Sequence, residues 1–144
     1  MAEAKKKKSI PQFLKMKKDG KKFTMVTAYD YALATQVDKT DIEMILVGDS
    51  GAMVMLGYKS TVPIDMNTMV LFSKAVVKGA PNTFIVGDLP FMSYEVSTEK
   101  AIENAGRLMK EAEVDCVKLE GGVRVADTVR AIVNAGIPVM GHIG

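Results

Sequence analysis

Short, nearly continuous apolar runs alternate along this chain with longer stretches whose apolar positions recur at helical spacing. Ser9, with Gln12 three residues on, reads as a capping box, and Gly20 as a stop, so a leading helix is expected over about Ile10–Lys18. Phe23–Ala28 reads as a first strand, followed by a short helix through about Val37. Met44–Val47 reads as a second strand, closing on Gly48-Asp49-Ser50, and a long loop is expected from there to Pro63. Asp65 can cap a helix through about Lys78, with Met69, Val70, Val76 and Val77 on its apolar side and Gly79 as its stop. Thr83–Gly87 is the third strand. Ser97 or Thr98 caps the next helix, in which Ile102, Ala105, Leu108, Met109 and Ala112 share a face. The stretch DCVKLEGG, Asp115 to Gly122, is the fourth strand. A helix from about Val125 to Ala135 stops at Gly136, and IPVMGHIG is the fifth strand.

Strands that alternate with helices and are apolar almost throughout pair in parallel, with the helices packed outside. The five units show no repeat in sequence and no linker between them. Two architectures satisfy this pattern: an open doubly wound sheet, or part of a (β/α)₈ barrel.

Composition narrows the function classes. The chain has 144 residues, 48% hydrophobic and 25% charged, the balance of a globular domain with one packed core. No apolar run approaches the length of a membrane span, and the N-terminus has no apolar signal core. One cysteine, Cys116, excludes an intramolecular disulfide and points to a reducing cytoplasm. Residues 1–22 carry nine lysines against Glu3 and Asp19, a net of +7; the whole chain carries +2, which leaves −5 for the remainder. The basic segment, a tail plus the leading helix, reads as solvated, and the acidic body argues against a nucleic-acid surface.

The chemistry gathers where the strands end. The second strand runs into Asp49 and Ser50, the third into Asp88, the fourth into Lys118 and Glu120, and the fifth into His142. Parallel strands put all their carboxyl ends on one rim, and in both candidate architectures ligands bind at that rim. Side chains alternate along a strand, so Cys116, Lys118 and Glu120 share one face while Val117 and Leu119 face the helices. Two readings of the buried charges stay open: a Lys118–Glu120 ion pair, or groups that meet a ligand or metal. Asp49, Asp88 and Glu120 form a hard-oxygen set suited to Mg²⁺, and with one His and one Cys a zinc or iron site is not expected. Cys116 reads as a core thiol and His142 as either a hydrogen-bonded lumen residue or a participant near substrate. Gly121-Gly122 fits an anion nest or a plain turn. Gly51–Ser60 echoes a P-loop, but with the wrong spacing.

The motifs TAYDY, LVGDS, STVPI, KGAPN, DLPFMSY, ENAGRLMKEA, VKLEGG and PVMGHIG, in this order over about residues 12–144, resemble the ketopantoate hydroxymethyltransferase family. The resemblance implies a (β/α)₈ TIM barrel, with residues 23–144 as the N-terminal portion of that single domain. It also implies a cytoplasmic, homo-oligomeric enzyme of pantothenate biosynthesis. Such an enzyme transfers a hydroxymethyl group from 5,10-methylenetetrahydrofolate to 3-methyl-2-oxobutanoate. The family's Mg²⁺ ligands correspond to Asp49, Asp88 and Glu120, and its keto-acid contacts to Asp49, Ser50, Asp88 and Lys118. The family's general-base glutamate sits on a later strand and has no counterpart here. A barrel of this kind takes about 250 residues, so the chain is expected to supply a leading helix and about five strands. The alternative is a catalytically silent half-barrel that binds metal or keto acid, or one completed by a partner chain. Two departures from the family pattern, GDSGAM and EAEVDCV, are expected to alter packing near the rim.

Overall fold

The structure is a computed structural model and describes residues 5–144. The first four residues of the basic tail lie outside the described residues. Helix α1 (Ile10–Lys18) leads into β1 (Met25–Thr27), α2 (Tyr31–Asp38), β2 (Met44–Val47), α3 (Gly51–Val54) and α4 (Met66–Gly79). Then come β3 (Phe84–Asp88), α5 (Thr98–Glu111), β4 (Cys116–Glu120), a 3₁₀ turn (Gly122–Val125), α6 (Ala126–Asn134) and β5 (Val139–His142).

All five strands pair in parallel, in the order β1-β2-β3-β4-β5. A doubly wound sheet reverses its strand order at a switch point. Here every strand lies beside its predecessor, which is the winding of a (β/α) barrel and settles the choice between the two architectures.

The two faces of the sheet carry separate cores. Val117 and Leu119 join Ile45, Val47, Ile85 and the helix residues Met69, Val76, Ala105 and Leu108 in the outer layer. Cys116 faces the other way, with Met44, Phe84, Val86 and Phe13. Helix α1 thus plugs the floor of the lumen: the Phe13 ring lies 5.0 Å from Phe23 and 5.2 Å, edge-on, from Phe84.

The local signals explain most element ends. Gln12 reaches back to accept the Ser9 N–H at 2.7 Å. Gly20, at φ +68°, closes α1, with its own N–H on the Lys17 carbonyl and that of Lys21 on Met16. Asp30, Asp65 and Ser97 cap α2, α4 and α5 through their side chains.

Four expectations change. The segment expected to be a long loop to Pro63 contains α3, a single turn that begins at once after Ser50. The first strand is shorter than Phe23–Ala28, because the flanking residues contribute only single bonds, Met44 N–H to Thr24 and Ala28 N–H to Leu46. Gly79 is the last residue of α4, not a left-handed stop. Its role is close approach: a Cβ there would lie 2.6 Å from the Tyr31 carbonyl and 2.9 Å from Ala34 Cβ on α2. The basic segment is not simply solvated either. Lys7 Nζ donates to Asp115 at 2.8 Å and Lys5 Nζ to Thr83 Oγ1 at 2.7 Å, both at the rim where β3 and β4 begin. Asp115 also accepts the Ile85 N–H, and Asp38 accepts from Thr83 and Asn82, so this amino-terminal rim is tied by polar contacts. The EAEVDCV departure falls on that same rim, away from the strand carboxyl ends.

Candidate active site

Strand register brings the charged residues together in cross-strand pairs. Asp88 at the end of β3 stands opposite Lys118 on β4, and Glu120 on β4 stands opposite His142 on β5. Lys118 Nζ donates to both Asp88 oxygens at 2.8 Å. His142 Nδ1 lies 2.5 Å from Glu120 Oε2. The same-face Lys118–Glu120 ion pair is therefore not formed, since each group takes its partner from the neighbouring strand.

The Asp88–Lys118 pair is well enclosed, its side chains 6% and 14% exposed. Burial pushes the Asp88 carboxyl above its usual range; Lys118 opposes that shift and the charge of Asp49 adds to it. The Asp49 N–H points at Asp88 Oδ2 at 3.4 Å. Asp49, Asp88, Lys118, Glu120 and His142 all line one cavity of about 300 Å³ at the carboxyl rim.

Ser50, expected beside Asp49 as a keto-acid contact, is not among the residues that line this cavity; its hydroxyl lies 2.8 Å from the Tyr29 hydroxyl. Gly51 lies in the first departure from the family pattern. A Cβ there would lie 3.0 Å from the Tyr29 and Phe72 rings, so those rings would have to give by a few tenths of an ångström.

The donor set suits Mg²⁺ in kind: Asp49, Asp88 and Glu120 line one cavity together with Glu95, and a few carboxylates suffice beside water and substrate oxygens. The side chains are not gathered around an ion: among the described residues no group of three or more His, Cys, Asp and Glu side chains is poised to hold one. Asp88 is engaged by Lys118 and Glu120 by His142, so both pairs would have to yield an oxygen.

Several wall residues had no role in the sequence reading. Tyr94 is buried, and its hydroxyl accepts the Glu120 N–H at 3.4 Å. Burial, opposed by that N–H and reinforced by Glu95 and Glu120, pushes its phenol up to about 12. Glu95 accepts the Tyr94 N–H at 3.2 Å. The loop that carries them is under tension: Met92 has φ +64°, a left-handed conformation that costs a non-glycine residue about 1–2 kcal/mol. Asn104, buried on α5, holds it by donating to the Ser93 carbonyl at 2.7 Å. These residues lie within DLPFMSY, so the motif marked the loop, but an irregular segment has no period from which side-chain direction follows.

Cys116 is a buried thiol that burial pushes up to about 12. Gly121 and Gly122, at φ +130° and +58°, form the turn into the 3₁₀ segment. The P-loop echo at Gly51–Ser60 is the α3 turn and its exit. No described helix is long and apolar enough to cross a membrane.

Comparison with known proteins gives a consistent picture. A model of the ketopantoate hydroxymethyltransferase family matches residues 7–144. The 3-methyl-2-oxobutanoate hydroxymethyltransferase of Heliobacterium modesticaldum is 59% identical over 139 residues, covering 96% of this chain and 50% of the relative. That of Moorella thermoacetica is 57% identical over 136 residues, 94% of this chain and 51% of the relative. The chain thus spans about half the length of the curated relatives it matches. Among solved structures, a phosphonopyruvate hydrolase complexed with oxalate and Mg²⁺ superposes with a TM-score of 0.72 at 13% identity, over 92% of this chain and 51% of that one. A 2,3-dimethylmalate lyase of the PEP mutase/isocitrate lyase superfamily gives 0.69 at 15%, over 92% and 52%. At these identities the likeness concerns the fold.

Proposed function

The chain belongs to the ketopantoate hydroxymethyltransferase family, and from that premise we propose that its protein transfers a hydroxymethyl group from 5,10-methylenetetrahydrofolate to 3-methyl-2-oxobutanoate. One water is consumed to supply the hydroxyl, and the products are tetrahydrofolate and 2-dehydropantoate, a precursor of pantothenate, made by a cytoplasmic homo-oligomer. The observation that carries the reading is the enclosed Asp88–Lys118 pair opening into a cavity lined by Asp49 and Glu120.

A small keto acid offers a carboxylate and a keto oxygen. Lys118 supplies positive charge beside them, and its contact with both Asp88 oxygens fixes where that charge sits. Ser50 can donate a hydrogen bond to the carboxylate, with Tyr29 setting the direction of its hydroxyl. Asp49, Asp88 and Glu120 would hold Mg²⁺, which when bound supplies a Lewis acid for the keto oxygen and so makes the C3 proton easier to remove. Developing negative charge on the keto oxygen is what Lys118 is placed to stabilise, and an enclosed site strengthens that interaction over its value in water. The leaving proton and the incoming one-carbon unit are both at C3, so the second substrate must reach the same cavity.

The test is a turnover assay with both substrates. The reading expects 2-dehydropantoate and tetrahydrofolate in equal amounts, dependent on Mg²⁺ and lowered at least tenfold by Lys118→Met, about 1.4 kcal/mol of transition-state stabilisation. No product from the protein, or turnover indifferent to Lys118, contradicts it.

A further inference from the structure

The chain between β3 and α5 turns over within four residues. Phe91 and Met92 are half-exposed, whereas Ser93 and Tyr94 are buried, and the reversal falls at Met92, whose φ is +64°. Two large apolar side chains are left facing water while a hydroxyl-bearing ring is taken inside. The Ser93 hydroxyl gains nothing from burial, since it has no hydrogen-bond partner among the described residues. Its carbonyl is gripped instead, by the Asn104 side chain, buried on α5, at 2.7 Å. A left-handed non-glycine residue and a buried unpartnered hydroxyl both disfavour this arrangement, and outliers of this kind cluster where they aim a side chain at a task. The side chain aimed here is Tyr94.

Tyr94 lines the same cavity as Asp88, Lys118 and Glu120. Its hydroxyl accepts the Glu120 N–H at 3.4 Å, which sets the oxygen at the carboxyl end of β4. A phenol is also a donor, and among the described residues no group accepts the Tyr94 proton. The residue is only 6% exposed. Were ring packing its whole task, phenylalanine would fill the space without taking a polar group out of water. In the proposed reaction, negative charge gathers on the keto oxygen as the C3 proton leaves. Lys118 already gives two hydrogen bonds to Asp88. An O–H with no other acceptor meets that developing charge without leaving a partner, and an enclosed donor is worth more there than in water.

Resting on the proposed reaction, we infer that Tyr94 is a further catalytic residue, whose hydroxyl donates a hydrogen bond to the keto oxygen of 3-methyl-2-oxobutanoate. The bond strengthens as the enolate forms, and the phenol keeps its proton throughout. Asn104 is the positioning residue behind it: it does not line the cavity, and it acts by holding the loop that carries Tyr94.

The carbonyl band of the bound substrate reads this hydrogen bond directly. Infrared difference spectra of 3-methyl-2-oxobutanoate, labelled with carbon-13 at its keto carbon, are taken with Mg²⁺ on the unsubstituted protein and on Tyr94→Phe. Calorimetry gives the affinities, and circular dichroism checks the fold. Loss of one neutral hydrogen bond should weaken keto-acid binding by about three- to tenfold. The keto band should move to higher frequency in Tyr94→Phe while the carboxylate bands stay in place. Asn104→Ala leaves the hydroxyl present but frees its loop, and should move the keto band the same way. A keto band unmoved in Tyr94→Phe, whether or not affinity falls, overturns the inference and leaves the proposed reaction standing. So does a folded Tyr94→Phe that binds no keto acid, since that loss exceeds one hydrogen bond. If Tyr94→Phe does not fold, an unmoved band in Asn104→Ala overturns the inference. Absence of keto-acid binding by the unsubstituted protein overturns the proposed reaction, and the inference with it.

Discussion

Lys118 Nζ lies 2.8 Å from each oxygen of Asp88, across the register pair that joins β4 to β3. Each side chain is the other's only charged contact at hydrogen-bond distance among the described residues, and both are largely removed from water. Breaking such a pair from one side leaves a buried charge without its counterion, at a cost of about 3–5 kcal/mol. Lys118→Met is therefore expected to lower stability by roughly 3 kcal/mol in denaturant titration. Lys118→Met/Asp88→Asn, which removes both charges, should recover at least half of that loss while turnover stays low. A double variant as unstable as the single one would show that Lys118 acts through packing.

The two glycines on helices α4 and α5 should respond oppositely to a methyl group. Gly79→Ala drives a Cβ toward the backbone carbonyl of Tyr31, which cannot give way as a flexible side chain would, and should cost about 1–3 kcal/mol. Gly106, inside α5, has open space at its Cβ position. Gly106→Ala should stabilise by about 0.5–1 kcal/mol through helix propensity. Thermal melts of the two variants check the pair, and melting temperatures that move in the same direction contradict this account.

How far these relationships were legible in the sequence depends on whether they follow from strand parity. The rim positions of Asp49, Asp88, Lys118, Glu120 and His142 came from reading where each strand ends, and the two faces of β4 from alternation. Partner choice did not, because the relative shift of neighbouring parallel strands is set in three dimensions: parity left Lys118 open between an ion pair with Glu120 and a ligand or metal, whereas register gives it Asp88. The role of Gly79 was hidden for a similar reason. A glycine near a helix end reads as a stop, and only the approach of α2 reveals the contact. Tyr94 and Glu95 sit in an irregular loop shaped by the Met92 backbone and by Asn104, neither of which leaves a periodic trace.

Cys116 gives a pH prediction whose sign follows from its burial. The thiol is pushed up to about 12 in the folded protein, so the folded state favours the protonated form. Its contribution is fully present below the ordinary thiol pKa of about 8.5 and is lost as pH rises from there toward 12. The thiol should resist a disulfide reagent at pH 8 in the folded protein and react at once in denaturant. Melting temperatures taken from pH 8 to 11 should fall less steeply in Cys116→Ala. Rapid modification of the folded protein at pH 8 would contradict the burial.

Under the proposed function, the rim cavity between β2 and β5 would hold 3-methyl-2-oxobutanoate together with Mg²⁺, the metal through Asp49, Asp88 and Glu120. Calorimetric titration of the keto acid into the protein, with and without Mg²⁺, checks this. The account predicts that Mg²⁺ tightens keto-acid binding at least tenfold, and that Asp49→Ala/Asp88→Ala abolishes this enhancement in a protein that still folds. Keto-acid binding equally tight without Mg²⁺, or an enhancement that survives in the double variant, would contradict it.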